Sequence, residues 1–324
     1  MYPFVLEYSI LSDSLVYVRP TPLEMIHMLH RQRAIRFLLA ESGGSLSQQH
    51  LTRLLYLVRH TTATQGGSSF YDFLDHEAEP RSFALEFEIG KMIRTGILLE
   101  PKRGRLSLTN PTSSSNHATP AWLETDIQKL LCSPAARNQR ALAHHVATVQ
   151  RDLESRRTPR PAHARQPNAR ALYTAGYESL SIDAFLDGLY RAGVQHLIDV
   201  RRNPISRRFG FHGRTLARLC GELSIGYSHF PRLGIASDER RHLETQADYD
   251  RLFQSYRRST LRRESLDIGH ASDLAKEHTS ALLCAERNPA ECHRSHLARK
   301  IHDISGLAII DLDFFDPTEI NNPI

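Results

Sequence analysis

Between Leu172 and Val200 the chain reads as an apolar run, a helix and a second apolar run, joined by short turns. The first run, Leu172 to Tyr177, ends in Gly176-Tyr177. Ser181 is placed to cap a helix through Phe185, Leu186, Leu189 and Ala192, which Gly193 terminates. Val194 to Val200 forms the next strand and ends at Arg201. Strands joined through a helix in this way pair in parallel. This unit constrains the fold more than any other feature, because it commits the second half of the chain to an α/β sheet.

The rest of that half extends the pattern. A loop runs from Arg201 to Phe211, and a helix from Gly213 carries Leu216, Leu219, Cys220 and Leu223. Ile225 to Phe230 is a third strand, stopped by Pro231, and residues 237–278 are mostly helical and polar. Ser280 to Ala285 is a fourth strand, residues 288–305 a helix, and Leu307 to Leu312 a last strand. Tyr177, Asp199, Arg201, His229, Cys284 and Glu286 all fall at or just past C-terminal strand ends. Those ends share one edge of a parallel sheet, where α/β proteins form their ligand sites.

The stretch after the fourth strand is the densest in chemistry. Asn288, Pro289 and Glu291 have the spacing of a capped helix start. Leu297, Ile301 and Ile304 mark its buried face, and His293 lies on the same line, one turn earlier. Cys292 near a helix start is expected to feel the positive end of the dipole, which lowers a thiol pKa.

These motifs resemble those of domain-of-unknown-function family 488 over residues 171–313. They are Gly176-Tyr177, Asp199-Val200-Arg201 with Pro204, Ser206-Arg207, Gly210-Phe211, then Tyr227, His229, Pro231 and Leu233-Gly234. Cys284, Glu286 and Cys292-His293-Arg294 complete the series. The resemblance implies an α/β fold with these polar residues clustered, and supplies no reaction.

Three chemistries fit the cluster. Cys284, Cys292 and His293 are suitable zinc ligands, with Asp199 or His229 as a fourth. Against this, adjacent residues on a helix diverge by about 100°, and there is no Cys-x-x-Cys pair, so no metal or other cofactor is assigned. A thiol of Cys284 or Cys292 beside His293 is a nucleophile and its base, although free cysteine also serves simply to pack at a strand end. Asp199 and Glu286 can act as acid and base. Asp199, Cys284, Glu286, Cys292 and His293 are thus the catalytic candidates. Tyr177 is a stacking platform, Arg201, Arg207 and Arg294 are candidates to hold phosphate, and Ser206 and His229 complete the binding set. An internal network of arginines and carboxylates that only holds loops is the competing reading.

The first half is helical. Residues 24–41 have helical spacing, ended by Gly43-Gly44. Ser45 or Ser47 is placed to cap a second helix with Leu51, Leu54, Leu55 and Val58 on one face, and Pro80 to start a third with Leu85, Ile89, Met92 and Ile93. A hairpin follows, with Lys102, Arg103 and Arg105 around Gly104 at its tip. Three helices and a hairpin are the order of a winged helix-turn-helix. Arg81, Lys91 and Arg94 are assigned to the third helix and Lys102, Arg103 and Arg105 to the wing, as phosphate contacts. Residues 110–119 read as a loop, and helices follow with Trp122, Ile127, Leu130 and Leu131, then over 133–156.

Residues 156–170 hold five Arg, three Pro and no acid, which describes an extended, self-repelling linker. The predicted organisation is a winged-helix-like domain over 1–155, the linker, and an α/β domain with a parallel-sheet three-layer fold over 171–324. The net charge of +5 leans weakly toward a polyanionic partner. Four cysteines are too few for a secreted disulfide scaffold, and the first twenty residues read as neither signal peptide nor membrane span, so a cytoplasmic protein is expected. Together these features predict a nucleic-acid-associated protein whose α/β domain acts on a nucleotide or nucleic acid, by base-directed hydrolysis, cleavage or modification. A regulator sensing a phosphorylated ligand without turnover, and an interaction scaffold in a defence or repair complex, are the alternatives.

Overall fold

The computed structural model describes residues 28–74, 79–109, 119–136, 138–156, 171–236, 238–240, 243–312 and 314. The expected start of the first helix at 24–27, the loop at 110–118 and the linker residues 157–170 lie outside them. No helix among the described residues is long and apolar enough to cross a membrane.

The N-terminal half starts with α1 (His30–Glu41), β1 (Ser45–Ser47) and α2 (Gln48–Thr61). It continues through α3 (Phe83–Arg94), β2 (Leu98–Lys102) and β3 (Arg105–Leu108). The expected helix starts hold in kind, with local corrections. Ser47 caps α2 by accepting from the His50 N–H. The third helix begins at Phe83 rather than Pro80, capped by Ser82, whose hydroxyl accepts from the Leu85 N–H. The three strands form one antiparallel sheet in the order β1-β3-β2. The strand β1, Ser-Leu-Ser, is too short to show an alternation and was not foreseen.

Ile35, Leu38 and Leu39 of α1 and Leu51, Leu54 and Leu55 of α2 fill a single apolar core under this sheet. Helices α4 (Ala121–Cys132) and α5 (Gln139–Arg156) close it with Leu123, Ile127, Leu142 and Val146. Of the apolar residues on α4, Trp122 is 38% exposed, and Leu123 takes the inward position.

The C-terminal half is a five-stranded parallel sheet in the order β6-β5-β7-β4-β8. Its strands are β4 (Ala171–Gly176), β5 (His196–Asp199), β6 (Gly226–His229), β7 (Ser280–Cys284) and β8 (Ala308–Asp311). Central strands β4 and β7 are buried along their whole length, as their continuous apolar runs require. One face, with Tyr173, Ala175, Ala281 and Leu283, packs on α6 (Ile182–Arg191) and α7 (Gly213–Glu222). The other, with Leu172, Ile198 and Leu282, packs on α8 (Gln246–Arg258), α9 (Thr260–Arg263), α10 (Ser265–Glu277) and α11 (His293–Ser305). The registers Gly176↔Cys284 and Asp199↔His229 bring the strand ends to one edge.

The two halves meet at a buried carboxylate. Asp183, at the start of α6, accepts from the Phe83 N–H at 2.6 Å, the Ala84 N–H at 3.2 Å and the Ser82 hydroxyl at 3.0 Å. A side chain of one half thus satisfies donors that α3 of the other leaves open at its first turn. Phe83 and Leu74 sit in the core of the α/β half. Arg81 precedes α3 instead of lying on it, and its guanidinium pairs with Glu86 and with Glu222 of α7. Its assignment as a phosphate contact on the third helix is corrected accordingly.

Burial, with Asp72 nearby, pushes the Asp183 carboxyl up to about 7 against its three donors. From about pH 4 to 7 the folded chain therefore holds a proton that the unfolded chain has released. Stability is expected to fall as pH rises through that window, and Asp183→Asn to flatten this slope in pH-dependent urea unfolding. Asp183→Ala, which orphans the donors of α3, is expected to lower stability by about 1–3 kcal/mol.

Candidate functional site

Four catalytic candidates converge at the end of β7. The Sγ atoms of Cys284 and Cys292 lie 2.9 and 3.0 Å from the same carboxylate oxygen, Oε2 of Glu286. The His293 ring puts Nδ1 3.6 Å from Cys284 Sγ and Nε2 3.1 Å from the Val200 carbonyl. A carbonyl can only accept, so Nε2 carries a proton, and Nδ1 faces the thiol. Both cysteines and His293 are buried, at 0%, 1% and 2% exposure, while Glu286 is half-buried and pairs with Arg240.

Local backbone makes this convergence possible. Asn288 starts only a 3-10 turn, Pro289–Glu291, and Cys292 is extended at φ −128°, ψ 134°. Helix α11 begins at His293, not at residue 288. Glu291 therefore meets the Asn288 side-chain amide instead of closing a backbone box. Cys292 and His293 do not sit on one helix, so the divergence of about 100° expected of helical neighbours does not apply to them. Burial pushes the Cys292 thiol well above its ordinary value, with Cys284 adding to the effect. The expected lowering by a helix dipole is thereby corrected. Burial also acts upward on Cys284, but its contact with Cys292, the Arg240 charge, the Ala285 N–H and the Arg294 charge together hold that thiol below the ordinary value.

The loop is tied down from beneath by Arg294, which is buried. Its guanidinium donates to the carbonyls of Glu286 and Arg287 and to Thr174 Oγ1. Gly176 makes the close approach possible: a Cβ there would lie 1.9 Å from the Glu286 carbonyl oxygen.

Asp199 and Arg201 form a second, structural cluster. The fully buried Asp199 carboxylate accepts from Arg201 N and Nε, at 3.1 and 2.9 Å, and from the Tyr227 hydroxyl at 2.7 Å. Arg201 also donates to the Phe211 carbonyl at 2.9 Å and the Tyr177 hydroxyl at 3.3 Å. Tyr177 stacks on Phe211 with centroids 4.2 Å apart, so its ring is already covered. His229 Nε2 lies 2.9 Å from the Arg201 carbonyl. Among the residues assigned to hold phosphate, Arg201 and Arg294 thus spend their donors inside the protein, and Arg207 alone is exposed. Ser206 caps its own loop by accepting from the Arg208 N–H. The unforeseen Arg208 braces the loop through the carbonyls of Tyr177 and Leu180.

A cavity of about 420 Å³ opens onto the first cluster. Glu286 and His293 form part of its wall, with Arg240, Glu244, Glu291, Ile235, Leu243, Tyr249, Leu252 and Phe253. The aromatic wall comes from α8, within the stretch read as merely polar and helical. Its signal was present as Tyr249, Leu252, Phe253 and Tyr256 at helical spacing. Tyr256 meets the His293 ring edge-on at 5.4 Å and donates to the Leu233 carbonyl.

Residues 181–301 match the family model of the domain of unknown function DUF488. The resemblance drawn from the motifs is thereby shown for the C-terminal region. The matched segment contains both clusters except Tyr177, and it excludes the whole N-terminal half. Comparison with curated proteins and with solved structures gave no match.

The two clusters separate under mutation. Asp199→Ala leaves the buried Arg201 charge unpaired and is expected to cost about 3–5 kcal/mol of stability in urea unfolding. A carboxylate with a purely catalytic role would leave the unfolding midpoint in place.

Proposed function

We propose that the protein is a nucleic-acid-associated enzyme whose α/β domain carries out base-directed hydrolysis or modification of a nucleotide or nucleic acid. The observation that carries this reading is the cavity of about 420 Å³, with Tyr249 and Phe253 in its wall and Glu286 and His293 beside them. Its size is in the range of small-molecule sites, which combine apolar walls with few polar groups. An aromatic wall suits a flat base, and a carboxylate beside an imidazole suits proton transfer to it. Among the described residues, three carboxylates, Glu244, Glu286 and Glu291, line the cavity beside one arginine, Arg240. Their charge disfavours an entering phosphate, so the group that enters is the uncharged base, and any phosphate stays outside. In this reading Glu286 moves the proton, His293 and Cys284 orient it, and Asp199 positions the loop through Arg201.

The N-terminal residues support a winged helix-turn-helix in a domain ending near residue 155. Helix, strand, two helices and a hairpin follow one another in that order, with an antiparallel three-stranded sheet. Lys91 and Arg94 on α3 and Lys102, Arg103 and Arg105 at the hairpin tip are exposed cations fit for phosphates. The first turn of α3 is occupied by Asp183, and Phe87 stacks on Phe209 at 4.3 Å. Contact with nucleic acid therefore falls to the C-terminal part of α3 and the hairpin, which favours backbone binding over base reading in the groove.

A regulator without turnover is the second reading. The observation that favours it is the path from the cavity to α3. His293 holds the Val200 carbonyl, the following loop carries Phe209, and Phe209 stacks on Phe87.

Binding to nucleic acid is expected to weaken with salt, and replacing Lys102, Arg103 and Arg105 by alanine to reduce the log–log slope by roughly 2–3. Glu286→Gln is expected to abolish product formation from a nucleotide or nucleic-acid pool while ligand binding persists. Ligand binding with no product from the unaltered chain supports the regulator instead. Absence of salt-dependent binding would overturn the nucleic-acid assignment.

A further inference from the structure

We infer that Cys284, Cys292, His293 and Glu286 form a tetrahedral zinc site. One ligand atom from each residue lies within 4.8 Å of every other. In a tetrahedral zinc centre with Zn–S about 2.3 Å and Zn–N about 2.0–2.1 Å, a sulfur and a nitrogen are about 3.5–3.6 Å apart. Cys284 Sγ and His293 Nδ1 stand 3.6 Å apart. The two sulfurs are 2.9 and 3.0 Å from Glu286 Oε2, nearer than the about 3.6 Å of shared coordination. A withdrawal of about 0.7 Å by the half-buried carboxylate accommodates the ion.

The surroundings fit a metal on three further counts. The imidazole presents its Nδ1 lone pair to the site because Nε2 is held by the Val200 carbonyl, the outer partner that metal-bound histidines use. Tyr256, edge-on to the ring, fixes its orientation from the side. Charge balances as well. Two thiolates and a carboxylate carry three negative charges, and the ion with Arg240 carries three positive ones.

Two sulfur donors and an imidazole in a tetrahedral arrangement select zinc over magnesium or calcium, which take oxygen ligands. Binding deprotonates both thiols and releases two protons to solvent. The three deeply buried ligands form the fixed part of the site. Glu286 and His293 line the cavity, and Glu286 is the ligand free to exchange. This inference goes beyond the enzymatic reading and is tested without substrate, so either can fail alone.

The test uses the reduced full chain, stripped with chelator and then dialysed against zinc or cobalt ions. One equivalent of zinc is expected to remain. Cobalt is expected to give the visible absorption of a tetrahedral ion and a near-ultraviolet thiolate-to-cobalt band. Cys292→Ser should weaken the thiolate band and Cys284→Ser/Cys292→Ser remove it, while Cys132→Ser and Cys220→Ser leave it unchanged. As a check independent of variant folding, zinc should slow alkylation of Cys284 and Cys292 in the unaltered chain at least tenfold. Exposed Cys132 should react at its former rate. Failure of the reduced chain to retain zinc, a cobalt spectrum without a thiolate band, or a band that survives the double variant would each overturn the inference.

Discussion

The guanidinium of Arg294 is the interaction on which the site depends. It is buried in the sheet edge and holds the carbonyls of Glu286 and Arg287 against Thr174 of β4. A cation without solvent is costly unless all its donors find partners, and here the partners are the backbone of the loop that leaves β7. The loop must therefore fold back over the sheet edge. That return carries Glu286 across Gly176 and sets Cys292 beside Cys284. His293 is next in sequence and reaches the carbonyl of Val200, just past β5. A single buried charge thus turns a stretch of ten residues into four converging side chains.

The neighbouring Asp199–Arg201 pair applies the same device to the loop after β5. Both members are buried, and Tyr227, Tyr177 and the Phe211 carbonyl complete their hydrogen bonds. Two arginines read as phosphate clamps act instead as internal braces, leaving the cavity beside them rich in carboxylate. That division sorts the charged residues at this sheet edge: Arg201 and Arg294 brace the loops, while Arg240, Glu286 and His293 line the cavity.

The parallel sheet and its polar edge were legible in the sequence because β4, β5 and β7 are short apolar runs, each closed by polar residues and followed by a helix. The convergence of Cys284, Glu286, Cys292 and His293 was legible only in part. Their side-chain directions depend on Cys292 being extended, and the Asn288-Pro289 spacing also fits a full helix start. The aromatic wall on α8 was hidden by the arginines and acids around Tyr249 and Phe253. Asp183 was hidden for a different reason. An acidic residue at N2 of a helix reads as a local dipole partner, and nothing nearby in sequence reveals that it caps α3, about a hundred residues earlier. Contacts of that separation are set by tertiary packing, which local periodicity does not encode.

If Cys284, Glu286, Cys292 and His293 form one site at the end of β7, X-ray absorption at the zinc edge of the metal-loaded protein will show two sulfur neighbours at about 2.3 Å and two nitrogen or oxygen neighbours at about 2.0–2.2 Å. A shell of light atoms alone would contradict it, because the two cysteines would then not face a common centre.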